Sequence, residues 1–154
     1  KDENINIFGI NSSLIFNNII MKSNKYIKVQ NISGYFDISG KDSVLKTDTI
    51  EITGSKINGN YIKINETNQI KDLYVQDDVL SNIKTKKINM YSMKAQYQKD
   101  KNLIELFDNV KIYRNNEIIV GDYAKINTLT ESYNVKSNNK QKVKILINNS
   151  ENDE

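Results

Sequence analysis

Between Ile104 and Ile126 apolar residues keep recurring at every second position, and that period excludes most folds. Ile104 and Leu106 fall on one face of an extended chain, Glu105 and Phe107 on the other. Val110 and Ile112 then share a face against Lys111 and Tyr113; Ile118, Ile119 and Val120 form the returning run, and residues 123–127 follow. Asp108-Asn109, the stretch from Arg114 to Glu117, and Gly121-Asp122 interrupt the runs. Side chains of a strand point alternately to opposite faces. A period of two, with Asn, Asp and Gly between runs, therefore predicts antiparallel strands with one face buried. No segment keeps the spacing of a long helix.

Weaker versions of the pattern fill the rest of the chain. Residues 5–10, 25–32, 35–38, 44–52, 57–65, 70–76, 79–85, 87–93, 95–98 and 143–147 all read as short strands. Residues 14–21 are a dense apolar run broken by Asn17-Asn18; strands, or a short amphipathic helix, both fit it. Gly59-Asn60-Tyr61-Ile62-Lys63-Ile64-Asn65 matches Gly121-Asp122-Tyr123-Ala124-Lys125-Ile126-Asn127 position by position, which suggests an internal repeat. About fourteen short strands are expected, at the spacing of an all-β sandwich or barrel. Residues 1–147 read as a single domain and 148–154 as a polar tail.

Composition matters here because it limits the core. Only 38% of the 154 residues are hydrophobic, and mean hydropathy is −0.61. Thin apolar stripes suit a sheet buried on one side. The nine tyrosines and the strict alternation argue against disorder. A net charge of +3 is too small to announce a nucleic-acid partner. The dense basic spots, Lys84 to Lys87 and Lys140 to Lys144, read as lysines guarding strand edges.

Chemistry is scarce. With no Cys and no His, neither a thiolate nucleophile nor a structural zinc site is expected, and no cofactor is implied. Asp77-Asp78 and the Glu105/Asp108 pair are read as turn and strand carboxylates rather than an acid–base pair. Ser12-Ser13 and Ser43 have no histidine to activate them, and the glycines are too dispersed for a phosphate loop. No catalytic residue is assigned and an enzyme is not expected. No stretch approaches the ~20 apolar residues of a membrane-spanning helix. The chain opens at Lys1 without a signal peptide, which leaves open a removed N-terminal segment.

The segment from Leu103 to Ile112, followed by Ile119-Val120-Gly121-Asp122-Tyr123-Ala124-Lys125-Ile126, resembles the OstA-like repeat of the lipopolysaccharide transport protein A (LptA) family. Asn109-Val110, Gly121-Asp122 and Ala124 fall where that repeat has them, and Ala95-Gln96-Tyr97 supplies the preceding Ala-x-Tyr step. Asp108 stands where the repeat usually has glycine. The likeness covers residues 90–147 and fades before residue 57.

The resemblance implies an all-β fold, an open twisted antiparallel β-jellyroll shaped as a V. It implies a periplasmic carrier that bridges the two membranes by head-to-tail stacking, with lipopolysaccharide acyl chains in an apolar groove. Its partners would be lipopolysaccharide, further copies of itself, and LptC-like and LptD-like components. The groove lining would come from the inward face: Ile62, Ile64, Ile104, Leu106, Val110, Ile112, Ala124, Ile126, Val135 and Ile145. Taken alone, these residues would equally well pack against one another in a closed sandwich. A membrane-anchored LptC-like member, the N-terminal domain of the outer-membrane translocon, and a non-transport structural β-domain remain alternatives. Residues 5–10 and 143–147 are the expected sheet edges, where a neighbouring copy could add a strand.

Overall fold

A computed structural model describes residues 4–138 and 142–147. They form twelve strands and, among the described residues, no helix: β1 (Asn4–Phe8), β2 (Ser12–Phe16), β3 (Ile19–Ser23), β4 (Tyr26–Gln30), β5 (Tyr35–Lys46), β6 (Ile50–Ile64), β7 (Thr67–Thr85), β8 (Ile88–Gln98), β9 (Leu103–Arg114), β10 (Glu117–Asn127), β11 (Tyr133–Lys136) and β12 (Lys144–Ile147). The dense run at 14–21 is a β2–β3 hairpin that turns at Asn17-Asn18, with Leu14 opposite Met21. Neighbouring strands are antiparallel, in the order β1-β4-β5-β6-β7-β8-β9-β10-β11; β3 joins through β5, and β12 through β10.

The strands are fewer and longer than the sequence predicts. β7 runs 19 residues through Asp77-Asp78, and β9 runs through Asp108-Asn109. These pairs, with Gly54-Ser55 and Gly121-Asp122, are not turns between strands. They sit at register shifts inside strands, between Ser39/Ser43, Thr53/Lys56, Gln76/Ser81, Tyr91/Lys94 and Gly121/Tyr123. Bulges and turns ask for the same residues, because both need positive φ or a freed backbone. Asp108 and Asn109 have φ of 63° and 55°.

The shifts line up across six consecutive strands and form a spine along which the sheet bends into two layers. The first layer contains β1, β4, residues 35–39 of β5, 56–64 of β6, 67–76 of β7, 94–98 of β8, 103–107 of β9, 123–127 of β10, and β11. The second contains β2, β3, the remaining halves of β5 to β10, and β12. Each long strand thus serves both layers, and the layers open away from the spine.

Bending the sheet interrupts its hydrogen-bond ladder and leaves carbonyls without partners. Buried serines supply them. Ser23 Oγ donates to the Ser39 carbonyl at 2.5 Å, Ser43 to Gly40 at 2.6 Å, Ser81 to Ser92 at 2.7 Å and Ser92 to Lys94 at 2.8 Å. Ser23, Ser43, Ser81 and Ser92 are almost fully buried. A hydroxyl there satisfies an acceptor that a buried alanine would leave orphaned. Gly40, on the same line, has a φ of +127° that a side chain would strain.

The core consists of cross-strand rows that face each other. In the first layer one row runs Ile27, Ile38, Ile57, Val75, Ala95, Leu106, Ala124. In the second it runs Met21, Leu45, Ile52, Ile83, Met90, Ile112, Ile119. All fourteen are buried. β1 and β11 are the outer strands of the first layer, β2 and β12 those of the second.

Candidate functional site

Away from the spine the two layers separate, and a cavity of about 630 Å³ lies between their free ends. Its floor is apolar because the inward positions of four strands meet there: Ile70 of β7, Ile88 and Met90 of β8, Ile104 of β9 and Ile126 of β10, with Ile50 and Tyr97 beside them. Its rim is polar because it is made of turns. Thr47, Asp48, Thr49, Thr85, Lys86 and Lys87 form one lip; Thr67, Gln69, Lys99, Asn127, Thr128 and Glu131 form the other. Lys99 Nζ donates to Gln69 Oε1 within the second lip.

Contacts between the layers flank this mouth. On the N-terminal side, the Asn68 N–H donates to Asn18 Oδ1 at 3.1 Å, and Phe16 meets Tyr61 edge-on with ring centroids 5.3 Å apart. On the C-terminal side, Lys87 Nζ donates to Glu131 Oε1 at 2.6 Å, while Arg114 Nη1 donates to the Glu131 carbonyl at 2.9 Å. The Arg114 guanidinium lies over the Tyr133 ring at 5.9 Å, and Tyr133 Oη donates to Glu117 Oε2 at 3.1 Å. Glu131 adopts a left-handed backbone, φ 58°. The hydrogen bond from Lys87, with the charges of Lys87 and Arg114, holds its carboxyl below the ordinary carboxylate value despite some desolvation. Burial raises the Tyr97 phenol.

Asn68 stands in the cavity wall, 2% exposed, and its side-chain Nδ2 is buried without a hydrogen-bond partner among the described residues. Such a group is costly to keep dry and unpaired.

The ten residues expected to line the groove have separate fates. Ile104 and Ile126 reach the cavity floor. Leu106, Ala124, Val110 and Ile112 face inward and are fully covered by the opposite layer nearer the spine. Val135 is half-buried beside Ala124, and Ile145 pairs with Ile119 but is 55% exposed at the open end of the second layer. Ile62 and Ile64 do not face inward. Each is 37% exposed and shares the outer face with its partners Gln69 and Thr67, while Tyr61 takes the inward position opposite Ile70.

The apparent repeat explains that correction. In β10 the register shift after Gly121, where Asp122 stands opposite Asp108 and Asn109 of β9, moves the inward phase from Ile119 and Gly121 to Ala124 and Ile126. In β6 the alternation continues unbroken from Gly59 to Tyr61, so the aligned Ile62 and Ile64 turn outward. A one-residue difference in phase swaps every face. The sequence reading missed Ile50, Ile70, Ile88, Tyr97 and Asn68. All but Asn68 and Tyr97 are apolar residues near a polar turn; the strand ends could have marked them, but the facing lips are not written locally.

An apolar floor beneath a rim of ammonium, hydroxyl and amide groups can hold the chain of an amphiphile while meeting its polar end. No protein-family model matches the sequence, and no curated protein does. The solved structure of LptH from Pseudomonas aeruginosa, described as the LptA-homologous periplasmic component of the conserved lipopolysaccharide transport device, is similar over 96% of both chains, with a TM-score of 0.64 at 13% identity. By that likeness, as by its bent antiparallel sheet, this chain has the open β-jellyroll fold of LptA-like proteins.

Proposed function

We propose that this protein is a periplasmic carrier of lipopolysaccharide, holding acyl chains between its two layers and passing them along a stack of copies between the membranes. The observation that carries this reading is the cavity between the layers: an apolar floor of isoleucines and Met90 under a lysine- and threonine-rich rim. Each methylene moved from water onto that floor contributes about 0.8 kcal/mol, so a few chain segments suffice for tight binding. Lysines at the rim complement the phosphates of an anionic lipid head. Apolar residues exposed at opposite ends of the sheet suit head-to-tail contact: Phe8, Ile10 and Ile15 at one end, Ile145, Leu146 and Ile147 at the other. LptC-like and LptD-like components would then meet the two ends of the stack.

The test is photo-crosslinking. A diazirine-bearing residue is placed in turn at Ile88, Ile104 and Ile126, and at outward-facing Lys111 as the control. Lipopolysaccharide is expected to crosslink at the first three and not at Lys111. Crosslinking at none of them, or equally at Lys111, removes lipid carriage in this groove and leaves a structural β-domain.

A further inference from the structure

We infer that the outer face of the first layer carries a separate binding site, one that takes an uncharged oligosaccharide. The site is a hollow of about 350 Å³ across β5 to β8, on the side of the sheet turned away from the core. Outward positions of these four strands form it as two rows. Asn58 stands opposite Tyr74, and Tyr74 opposite Gln96. Tyr35 stands opposite Asn60, then Asp72, then Gln98. All are half-buried, while Gly59 and Leu73 between them are buried toward the core. Neighbouring strands lie about 4.8 Å apart, so the longer row reaches about 14 Å. That leaves room for a short run of linked pyranose rings.

The side chains decide the ligand class. Asn is disfavoured in strands, and elsewhere this chain places it at positive φ, as at Asn11, Asn17, Asn65, Asn102 and Asn115. Asn58 and Asn60 lie mid-strand instead, so local structure does not account for them. A carboxamide presents a donor and an acceptor side by side, which is what two adjacent sugar hydroxyls also present. Asn60 Nδ2 donates to Asp72 Oδ1 at 2.9 Å; this fixes both side chains and leaves the second carboxylate oxygen to accept from a hydroxyl. Tyr74 is fixed through its hydroxyl, which donates to Gln76 Oε1 at 3.1 Å. A held aromatic ring among planar amides suits the C–H face of a pyranose. Charge completes the argument. Lys71 and Lys101 at the margin are balanced by Asp72 and Asp100, so the hollow carries no net charge and favours neither an anion nor a cation. An apolar partner would strip water from the amides without replacing its hydrogen bonds. An uncharged polyol replaces them.

The site does not depend on the carrier reading, and its test leaves the groove aside. Chitohexaose, cellohexaose and maltohexaose, all uncharged, are titrated into nitrogen-15-labelled protein and followed by NMR. At least one is expected to give saturable shifts in the side-chain amide signals of Asn58, Asn60, Gln96 and Gln98. The affinity should be the same at low and high salt, because no charge is neutralised. Asn58→Leu with Gln96→Leu is expected to weaken that sugar at least tenfold while the melting temperature holds. Two polymers present this chemistry: the glycan strand of a cell wall and the sugar chain of a lipopolysaccharide. Sedimentation of wild type, but not of the double variant, with purified cell-wall sacculi assigns the first; shifts at the same four amides with a sugar chain freed of its lipid assign the second. No saturable shift with any hexasaccharide overturns the site. So do shifts confined to other residues, an affinity that falls with salt, or full affinity in the double variant.

Discussion

At the residue scale, the buried polar groups carry the most information. The chain spends few apolar residues, yet it buries Ser43, Ser81 and Ser92 along the spine, where each hydroxyl reaches a carbonyl that the bent ladder no longer pairs. Ser81→Ala should cost about 1–3 kcal/mol in urea unfolding, because the Ser92 carbonyl is left dry and unpaired. Glu131 works differently. Its carboxyl is held below its ordinary 4.5 by Lys87 and Arg114. A lowered carboxylate stabilises the fold above its ordinary pKa, and that contribution fades as pH falls through the lowered value. Wild type should therefore melt above Glu131→Gln at pH 7, and the difference should fade as pH falls through the lowered value. Tyr123, pushed up to about 12 by burial and by its 2.5 Å hydrogen bond to Glu105, belongs to the opposite case: its contribution is complete below 10 and is lost as pH rises toward 12.

At the element scale, bulges explain why the strands are long. A position such as Asp108 reads as a turn from its neighbours alone, but β8 and β10 pair with β9 on both sides of it. The glycine that the LptA-like repeat usually has at this point makes physical sense, because the backbone here is left-handed at φ 63°. Asp108→Gly is expected to be neutral or stabilising, and Asp108→Val to cost more than about 1 kcal/mol, since a β-branched residue at positive φ is strained. Thermal melts of the two variants check both. Equal destabilisation by both would show that the Asp side chain itself holds the bulge. Gly59 is demanding for another reason: a Cβ there would meet the Asp72 carbonyl oxygen at 2.2 Å.

At the scale of the whole molecule, the open ends govern behaviour. β12 exposes Ile145, Leu146 and Ile147 at one end of the second layer, and β2 exposes Ile15 at the other. If copies stack through these strands, sedimentation velocity of wild type should show concentration-dependent association. Ile145→Lys with Ile147→Lys should abolish it without changing the far-ultraviolet circular dichroism. A monomer at every concentration would remove head-to-tail stacking in solution. The lips act as a second whole-molecule device. Lys87, Arg114, Glu131 and Tyr133 come from two connections and two strands, and they meet only because the sheet bends back on itself.

The alternation from Ile104 to Ile126 by itself determined the all-β class, the antiparallel pairing, and which side chains of β9 share a face, because the period of side-chain direction is a local property of an extended chain. The inward phase of β6 was not local: whether Ile62 or Tyr61 turns in depends on where a neighbouring strand takes up an extra residue. The groove was not local either. Its floor, its two lips and the unpaired Asn68 come from segments far apart in sequence, brought together by one bend repeated across six strands. Periodicity records which face is buried; only tertiary structure decides what that face is buried against, and where it is left open.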